Sequence, residues 1–150
     1  MSSAAVATAA AIGVAGLLLI ALTAVLTLRR RYVLVTVAGL SMAPTLRPGD
    51  RLVVRRTAAR RIRIGDVVVL TPDPDPATDR GGLWLVKRAA AVPGDPVPRA
   101  VVPALADAPE ALVPHGKLVL LGDNTEYSTD SRQRGYFDAQ RLVGRVIRRR

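Results

Sequence analysis

The sequence has no cysteine in its 150 residues, so disulfide bonds and thiolate metal sites are excluded. It has one histidine, His115, which excludes a metal site built from several imidazoles, and we expect no metal and no cofactor. A Ser-His-Asp triad would have to use His115. That histidine lies in the Pro- and Gly-containing segment 113–116, where an exposed imidazole in a turn is the simpler interpretation.

Aromatic residues and lysine are both scarce. Aromatic side chains make up 3% of the chain, so a core must be built from Val, Leu, Ile and Ala. Only Lys87 and Lys117 among the 22 basic residues are lysine, and the formal net charge is +10. A basic balance is compatible with nucleic acid, with anionic lipid or with no specific partner. Because arginine is the usual cation here, each lysine is a candidate for chemistry that arginine cannot perform.

The N-terminal segment has no charged side chain before residue 29, and residues 4–28 are almost wholly apolar. About 20 such residues can span a bilayer, which predicts a retained transmembrane anchor over 4–28. A cleaved secretory signal is the alternative. Against it, no basic segment precedes the apolar run, and the run is longer than the apolar core of a secretory signal. Three arginines, 29–31, follow it, and the positive-inside rule would place residues 32–150 in the cytoplasm.

The rest of the chain has the pattern of a small all-β domain, with short apolar runs between turns rich in Pro, Gly and Asp. We predict strands at 33–37, 50–56, 67–70, 83–92, 117–121 and 142–147. Alternating proline predicts a loop over 71–76, because proline cannot pair inside a sheet. Six prolines in 93–114 predict an ordered excursion or loop rather than a helix. The fold class is mainly β, with one N-terminal transmembrane helix and a β-rich domain over 32–150.

Ser41 lies where a predicted strand gives way to a turn, after Gly39 and before Pro44. A serine at such a junction is exposed, and the free amides behind it could stabilise an oxyanion. An ordinary turn serine is the alternative, since serine is common in turns.

Lys87 makes a catalytic interpretation of Ser41 more attractive. In a strand, Leu83, Leu85, Lys87 and Ala89 share one face, whereas Arg88 points away from it. Apolar neighbours penalise the ammonium and lower a lysine pKa, so Lys87 could act as general base for a serine hydroxyl. The alternative is a lysine whose stem packs on the sheet while its charge reaches water.

A dense polar segment, 122–132, follows the predicted strand 117–121. Ser128 could hydrogen-bond the lysine amine and orient it. Asp130 and Arg132 could form a bidentate ion pair that fixes the loop. A solvated polar turn is the alternative.

Taken together, these segments resemble type I signal peptidase, the serine–lysine leader peptidase family. The resemblance runs in order over nearly all of residues 33–147. The matching stretches are Ser41–Leu46 with Pro48–Asp50, Gly65–Val68, Lys87-Arg88 with Val92–Asp95, and Gly122–Asn124 with Ser128, Asp130–Arg132 and Gly135.

The resemblance implies a barrel-like catalytic domain in which Ser41, followed by Met42, attacks the scissile carbonyl and Lys87 takes its proton. It implies that the Ser41 amide contributes to the oxyanion hole and that Ser128 positions Lys87. Asp130 and Arg132 would then maintain the shape of the last segment.

The implied substrates are exported precursors whose signal or leader peptides bind as an extended strand and are cut after small residues, in the Ala-x-Ala manner. The implied partners are those precursors and membrane lipid, and the implied state is a monomer. The implied location is a bacterial cell membrane, single-pass, with the catalytic domain on the extracytoplasmic side. This contradicts the positive-inside rule, and we follow the resemblance because a signal peptidase must meet its substrate on that side.

Two departures from the family pattern stand out. Some members have a serine two residues before the nucleophile, where this chain has Gly39, so we expect a substitute donor in the oxyanion hole. Only 26 residues separate Asp95 from Gly122, where larger members insert an extra domain.

Two other functions fit parts of the sequence. A LexA-like self-cleaving regulator shares the Ser–Lys chemistry and the Gly-x-Ser-Met sequence, but it needs a DNA-binding segment that we do not find, so we expect no nucleic-acid partner. A non-catalytic membrane-tethered binding domain could use the arginines at 55–56 and 60–63.

Overall fold

The computed structural model describes residues 3–72 and 84–149. The chain divides into two compact units, Met1–Tyr32 and Val33–Arg150. Most of the predicted loop 71–76 lies outside the described residues, as does Leu83, the first residue of the predicted fourth strand.

Helix α1 spans Ser3–Arg31, so a helix covers the predicted anchor. Its Ile12–Arg31 segment has a mean hydropathy of 2.2 over 20 residues. At a rise of ~1.5 Å per residue, such a segment is ~30 Å long, which matches the hydrocarbon thickness of a bilayer. By length and composition, α1 can therefore cross a membrane.

The second unit is built on a seven-stranded, mainly antiparallel sheet. Its strands are β1 (Tyr32–Thr36), β2 (Arg51–Arg56), β3 (Val67–Leu70), β4 (Leu85–Ala91), β5 (Lys117–Leu121), β6 (Phe137–Asp138) and β7 (Leu142–Arg149). Their order in the sheet is β1-β2-β7-β3-β4-β5-β6. Among the described residues β1 and β6 are not paired with each other, so the sheet is open rather than a closed barrel.

The predicted strands agree with the sheet to within about two residues at each end, because Val- and Leu-rich runs between turn residues mark strands clearly. The short strand β6 was missed. It has two residues, too few for an alternating pattern, and it exists because it pairs with the start of β5.

Three apolar clusters form the core, and strands β3 and β4 contribute to both of the first two. The first cluster contains Val35, Val37, Met42, Leu46, Leu52, Val54, Val69, Val86 and Val143. The second contains Ile62, Val68, Leu70, Ala89, Leu118, Leu120 and Phe137. The third contains Ala91, Val97, Val102, Leu105, Val113 and Val119. Only one aromatic ring, that of Phe137, is among these buried side chains, as the composition predicts.

The predicted excursion between β4 and β5 is ordered. An isolated bridge joins Pro96 to Leu112, and a single turn of 3-10 helix spans Pro103–Leu105. Leu105 packs against a second short helix, α2 (Ser131–Arg134), where a Cβ added at Gly135 would lie 3.2 Å from Leu105. The excursion thus packs against the polar segment that contains Ser128 and Asp130.

Candidate active site

Lys87 lies in the middle of β4 with a relative exposure of 3%. Leu85 and Ala89, two positions away on the same face of the strand, pack in the second core cluster. Burial lowers the pKa of Lys87 to about 8, because the ammonium form loses its hydration. The Asp130 carboxylate opposes this change in pKa, and the charge of Arg132 adds to it.

Ser128 connects Lys87 to Asp130. The Lys87 Nζ donates to the Ser128 Oγ at 2.8 Å, and the Ser128 hydroxyl donates to the Asp130 Oδ2 at 2.7 Å. All three side chains are buried, with relative exposures of 3%, 6% and 0% for Lys87, Ser128 and Asp130. Because the Ser128 proton is directed to the carboxylate, the serine oxygen presents a lone pair to the amine and fixes its direction.

Asp130 is the acceptor on which this segment converges. Its Oδ2 also accepts from the Gly122 amide at 2.8 Å, and its Oδ1 accepts from the Arg132 amide at 3.0 Å. The same carboxylate caps the N-terminus of α2, while the Gln133 side chain accepts from the Asp130 amide at 2.9 Å, which completes a capping box. A buried carboxylate is tolerated here because all its bonds are charge-assisted or come from donors directed at it.

The bidentate ion pair expected between Asp130 and Arg132 is replaced by a bridge. The Arg132 Nη1 lies 3.2 Å from the Asp130 Oδ2, but the Nη2 donates to the Gly122 carbonyl at 3.2 Å. The second guanidinium bond thus goes to a main-chain carbonyl and not to the second Asp130 oxygen, which accepts from the Arg132 amide. Arg132 therefore joins the end of β5 to the start of α2.

The turn that contains Ser41 meets this network through main-chain atoms. The Asn124 amide donates to the Ser41 carbonyl at 2.9 Å. A Cβ added at Gly122 would lie 2.6 Å from the Ser41 carbonyl oxygen and would overlap the Ser128 side chain. Gly122 is thus the point at which the Ser41 turn and Ser128 meet, and it leaves no room for a side chain. Gly122 belongs to the last stretch of the family resemblance, but no sequence pattern indicated that it contacts the Ser41 turn.

The Ser41 hydroxyl and amide are available for chemistry. In residues 3–72 and 84–149, no hydrogen bond joins the Ser41 hydroxyl to Lys87, and none uses the Ser41 amide. Met42 is 1% exposed and packs in the first core cluster, which anchors the turn, while Ser41 itself is partly exposed. A backbone amide without an internal partner is the kind of group that can donate to an oxyanion.

Arg88 and Asp123 form a clamp that the sequence did not reveal. Arg88 follows Lys87, and its Nε and Nη2 donate to the two Asp123 carboxylate oxygens at 2.8 and 2.6 Å. This guanidinium lowers the pKa of the Asp123 carboxyl, and a hydrogen bond from the Thr45 side chain acts in the same direction. Asp123 therefore joins the segment after β5 to the strand of Lys87.

His115 is exposed in the turn before β5, as its sequence context predicts. Within the described residues, no group of three or more His, Cys, Asp or Glu side chains could bind a metal ion. The charged groups around Lys87 include the Asp130 carboxylate and the Arg132 guanidinium.

A family model described as signal peptidase, peptidase S26, matches residues 7–102 and 99–149. The chain belongs to this family. The match includes the segments of Ser41 and Lys87 in its first part and that of Ser128 in its second. The resemblance on which the sequence analysis relied is confirmed.

Curated relatives of this signal peptidase family agree with the match. The chain is 31% identical over 128 residues to a Synechocystis protein named probable signal peptidase I-1, an alignment that covers 71% of this chain and 65% of the relative. It is 34% identical over 125 residues to an Arabidopsis thaliana mitochondrial ATP-independent inner membrane protease subunit 1a, covering 79% and 71%. It is 30% identical over 147 residues to signal peptidase IB of Staphylococcus aureus, covering 74% and 73%. The chain thus spans just under two thirds of the Synechocystis relative.

Proposed function

We propose that the protein is a membrane-anchored serine endopeptidase that removes signal or leader peptides from exported precursors and cuts after small residues. Membership of the signal peptidase family supports the reaction class. The observation that carries the mechanism is Lys87, which is buried, has a pKa lowered to about 8, and donates to Ser128 beside the Ser41 turn.

In the proposed mechanism, the Ser41 Oγ attacks the scissile carbonyl carbon while its proton passes to the neutral Lys87 Nζ. The carbonyl oxygen becomes an oxyanion that the Ser41 amide stabilises. The C–N bond then breaks, and the Lys87 ammonium gives its proton to the leaving amine. Water, deprotonated by Lys87, releases the acyl group from Ser41 and regenerates both residues.

The geometry of β4 provides a place for an extended substrate. Residues 85–88 pair with β3 on one side, whereas β5 pairs with β4 only from Arg88 onward. In the described part of the chain, the first half of β4 therefore has one edge with no partner strand. A peptide added at this edge would run past Lys87 and gain main-chain hydrogen bonds without regard to most side chains.

The apolar helix α1 supports the proposal of a single-pass anchor. We place the catalytic domain on the extracytoplasmic side, because exported precursors present their cleavage sites there. Reporter fusions after residue 150 test this assignment. Activity of a periplasmic reporter agrees with it, and fluorescence of a cytoplasm-only reporter contradicts it.

The test of the proposed function is cleavage of a precursor with an Ala-x-Ala signal by the full chain in detergent. We expect one cut, after the final alanine, with intact-mass analysis of both products to locate it. Cleavage elsewhere would contradict the specificity, and no cleavage by a folded sample would contradict the function.

The pH profile should follow Lys87. Only the neutral amine accepts the serine proton, so we expect kcat/KM to rise with pH and to level off above the Lys87 pKa of about 8. The free energy of unfolding should also rise between pH 8 and 10.5, because the unfolded chain, at the ordinary lysine pKa of 10.5, binds the proton that the folded chain has lost. Lys87→Met should lack this rise in stability. A profile that levels off near pH 6 would point to a different base.

Ser128→Ala should lower kcat less than loss of the nucleophile or base. The variant removes the 2.8 Å bond that directs the Lys87 amine, but the amine and its burial remain. We expect a fall in kcat of ~10²-fold, the lower end of a general-base contribution, with KM little changed. Ser128→Thr, which restores the hydroxyl, is the matched control. If Ser128→Ala lost as much activity as removal of Lys87, Ser128 would do more than orient the base.

Gly39→Ser should fold normally and raise kcat. A Cβ at Gly39 would meet nothing within 4 Å, and the backbone there does not require glycine. The new hydroxyl would give the oxyanion a second donor, with an increase no larger than the ~10²–10³ that one such donor contributes. Gly39→Ala is the matched control, since it adds the Cβ without the donor. Equal rates for the serine and alanine variants would contradict a donor role at this position.

A further inference from the structure

A cluster of arginines lies away from the candidate active site. The stretch 51–64 contains six arginines and no acidic residue. Five of them, here called the arginine surface, lie at the end of β2 and in the connection to β3, and all five are exposed. They are Arg55, Arg56, Arg60, Arg61 and Arg63.

The sheet topology brings these five residues to one end of the sheet. Strand β7 lies between β2 and β3, so the connection 57–66 must cross β7. In the register of β2 and β7, Arg55 lies opposite Arg145 and Arg56 lies opposite Gly144. Arginines directly opposite each other repel, which makes this end of the sheet a site for a counter-charge.

The protein itself provides little counter-charge. In residues 3–72 and 84–149, no ion pair or side-chain hydrogen bond involves a guanidinium of the arginine surface. The nearest acidic residue in the connection, Asp66, already accepts from the Arg63 amide at 3.0 Å and lies 3.7 Å from the Arg145 guanidinium. The positive charge of the arginine surface is therefore directed to solvent.

Two isoleucines alternate with these arginines and behave differently. Ile62 is 4% exposed and packs in the second core cluster, which fixes the position of the connection. Ile64 is 62% exposed. An exposed isoleucine in the same connection as three exposed arginines combines apolar and cationic groups, which suits the boundary between lipid headgroups and acyl chains.

We propose that the arginine surface, together with Ile64, binds the anionic headgroups of a lipid bilayer. Guanidinium groups bind phosphate with paired hydrogen bonds, and Ile64 would enter the headgroup region. The same chain contains an apolar helix long enough to span a bilayer, so a bilayer is the anionic partner that its composition favours over nucleic acid.

Lipid binding at this surface would act on a segment that is hydrogen-bonded to β4, the strand of Lys87. The Gly65 carbonyl accepts from Arg88 Nη1 at 2.9 Å, and the Gly65 amide donates to the Ala89 carbonyl at 2.8 Å. The connection that contains Arg63 and Ile64 is thus bonded to β4 at the two residues after Lys87.

The absence of native cysteine allows a direct test on the full chain. Ile64→Cys is labelled with an environment-sensitive fluorophore and reconstituted in nanodiscs of phosphatidylcholine alone or with phosphatidylglycerol. We expect a blue shift of emission only with phosphatidylglycerol, reversed by high salt. Val101→Cys, at an exposed position in the excursion between β4 and β5, should show no shift.

Charge variants test whether the positive charge of the arginines causes the emission shift. Changing Arg60, Arg61 and Arg63 together to glutamine should abolish the shift, whereas changing them to lysine should preserve it, because lysine retains the charge. Equal emission in both lipids, or a shift that survives the glutamine changes, would overturn the proposal. An emission change on adding short oligonucleotides to the labelled chain in detergent, with none in phosphatidylglycerol nanodiscs, would favour nucleic acid over lipid and would also overturn it.

Discussion

Ser41→Ala is expected to abolish precursor cleavage and to leave the fold intact. In the described residues the Ser41 carbonyl, not its hydroxyl, forms the bond to Asn124, so removal of the hydroxyl leaves the turn in place. Loss of the nucleophile of a serine protease typically lowers kcat by ~10⁶-fold. Single-turnover cleavage of the Ala-x-Ala precursor measures the loss, and thermal unfolding checks the fold.

Precursor binding separates loss of chemistry from loss of the site. Ser41→Ala should still compete with wild type for precursor, since the unpaired edge of β4 is unchanged. Wild-type rates from a pure sample of the variant would remove Ser41 from the role of nucleophile. Loss of both binding and stability would show instead that the hydroxyl is structural.

Lys87→Arg is expected to be as inactive as Ser41→Ala. Arginine retains the positive charge but does not deprotonate at any pH the fold survives, so it cannot accept the serine proton. The larger guanidinium also has to fit where Lys87 is 3% exposed, which typically costs 1–3 kcal/mol of stability, about the range for overpacked cores. Cleavage assays across pH 6–10, a range chosen to bracket the Lys87 pKa of about 8, measure the loss.

Two companion variants make the Lys87 result interpretable. Lys87→Met has a similar shape and no charge to desolvate, so it should fold at least as well as wild type and also be inactive. Lys117→Arg changes the only other lysine, which forms an exposed ion pair with Asp138 at 2.6 Å, and it should cleave normally. Activity in Lys87→Arg would mean that the base is a different group.

The sequence predicted the strands and the burial of Lys87, because both depend on local patterns. Alternation in β4 places Lys87 with Ala89, and no distant residue is needed for that inference. The clamp between Arg88 and Asp123 joins residues 35 positions apart, and it depends on how β4 and β5 pair. A sequence shows which residues are polar but not which register brings them together.

The close contact of Gly122 with the Ser41 turn and Ser128 could not be predicted from the sequence, for a different reason. Glycine after a strand is ordinary in a turn, and its backbone here has no positive φ to mark it. What requires glycine is the neighbouring atoms, the Ser41 carbonyl and the Ser128 side chain, which come from elsewhere in the chain. The bridge by Arg132 escaped prediction similarly, since its second acceptor is a main-chain carbonyl.

The double role of Asp130 would make the proposed protease activity dependent on completed folding. The same carboxylate caps α2 and accepts the Ser128 hydroxyl proton, so the helix and the orientation of the Lys87 amine are established together. A nascent or partly unfolded chain, in which α2 is absent, would contain both Ser41 and Lys87 but no aligned amine between them. Such a chain would be harmless to neighbouring proteins during its own synthesis and insertion.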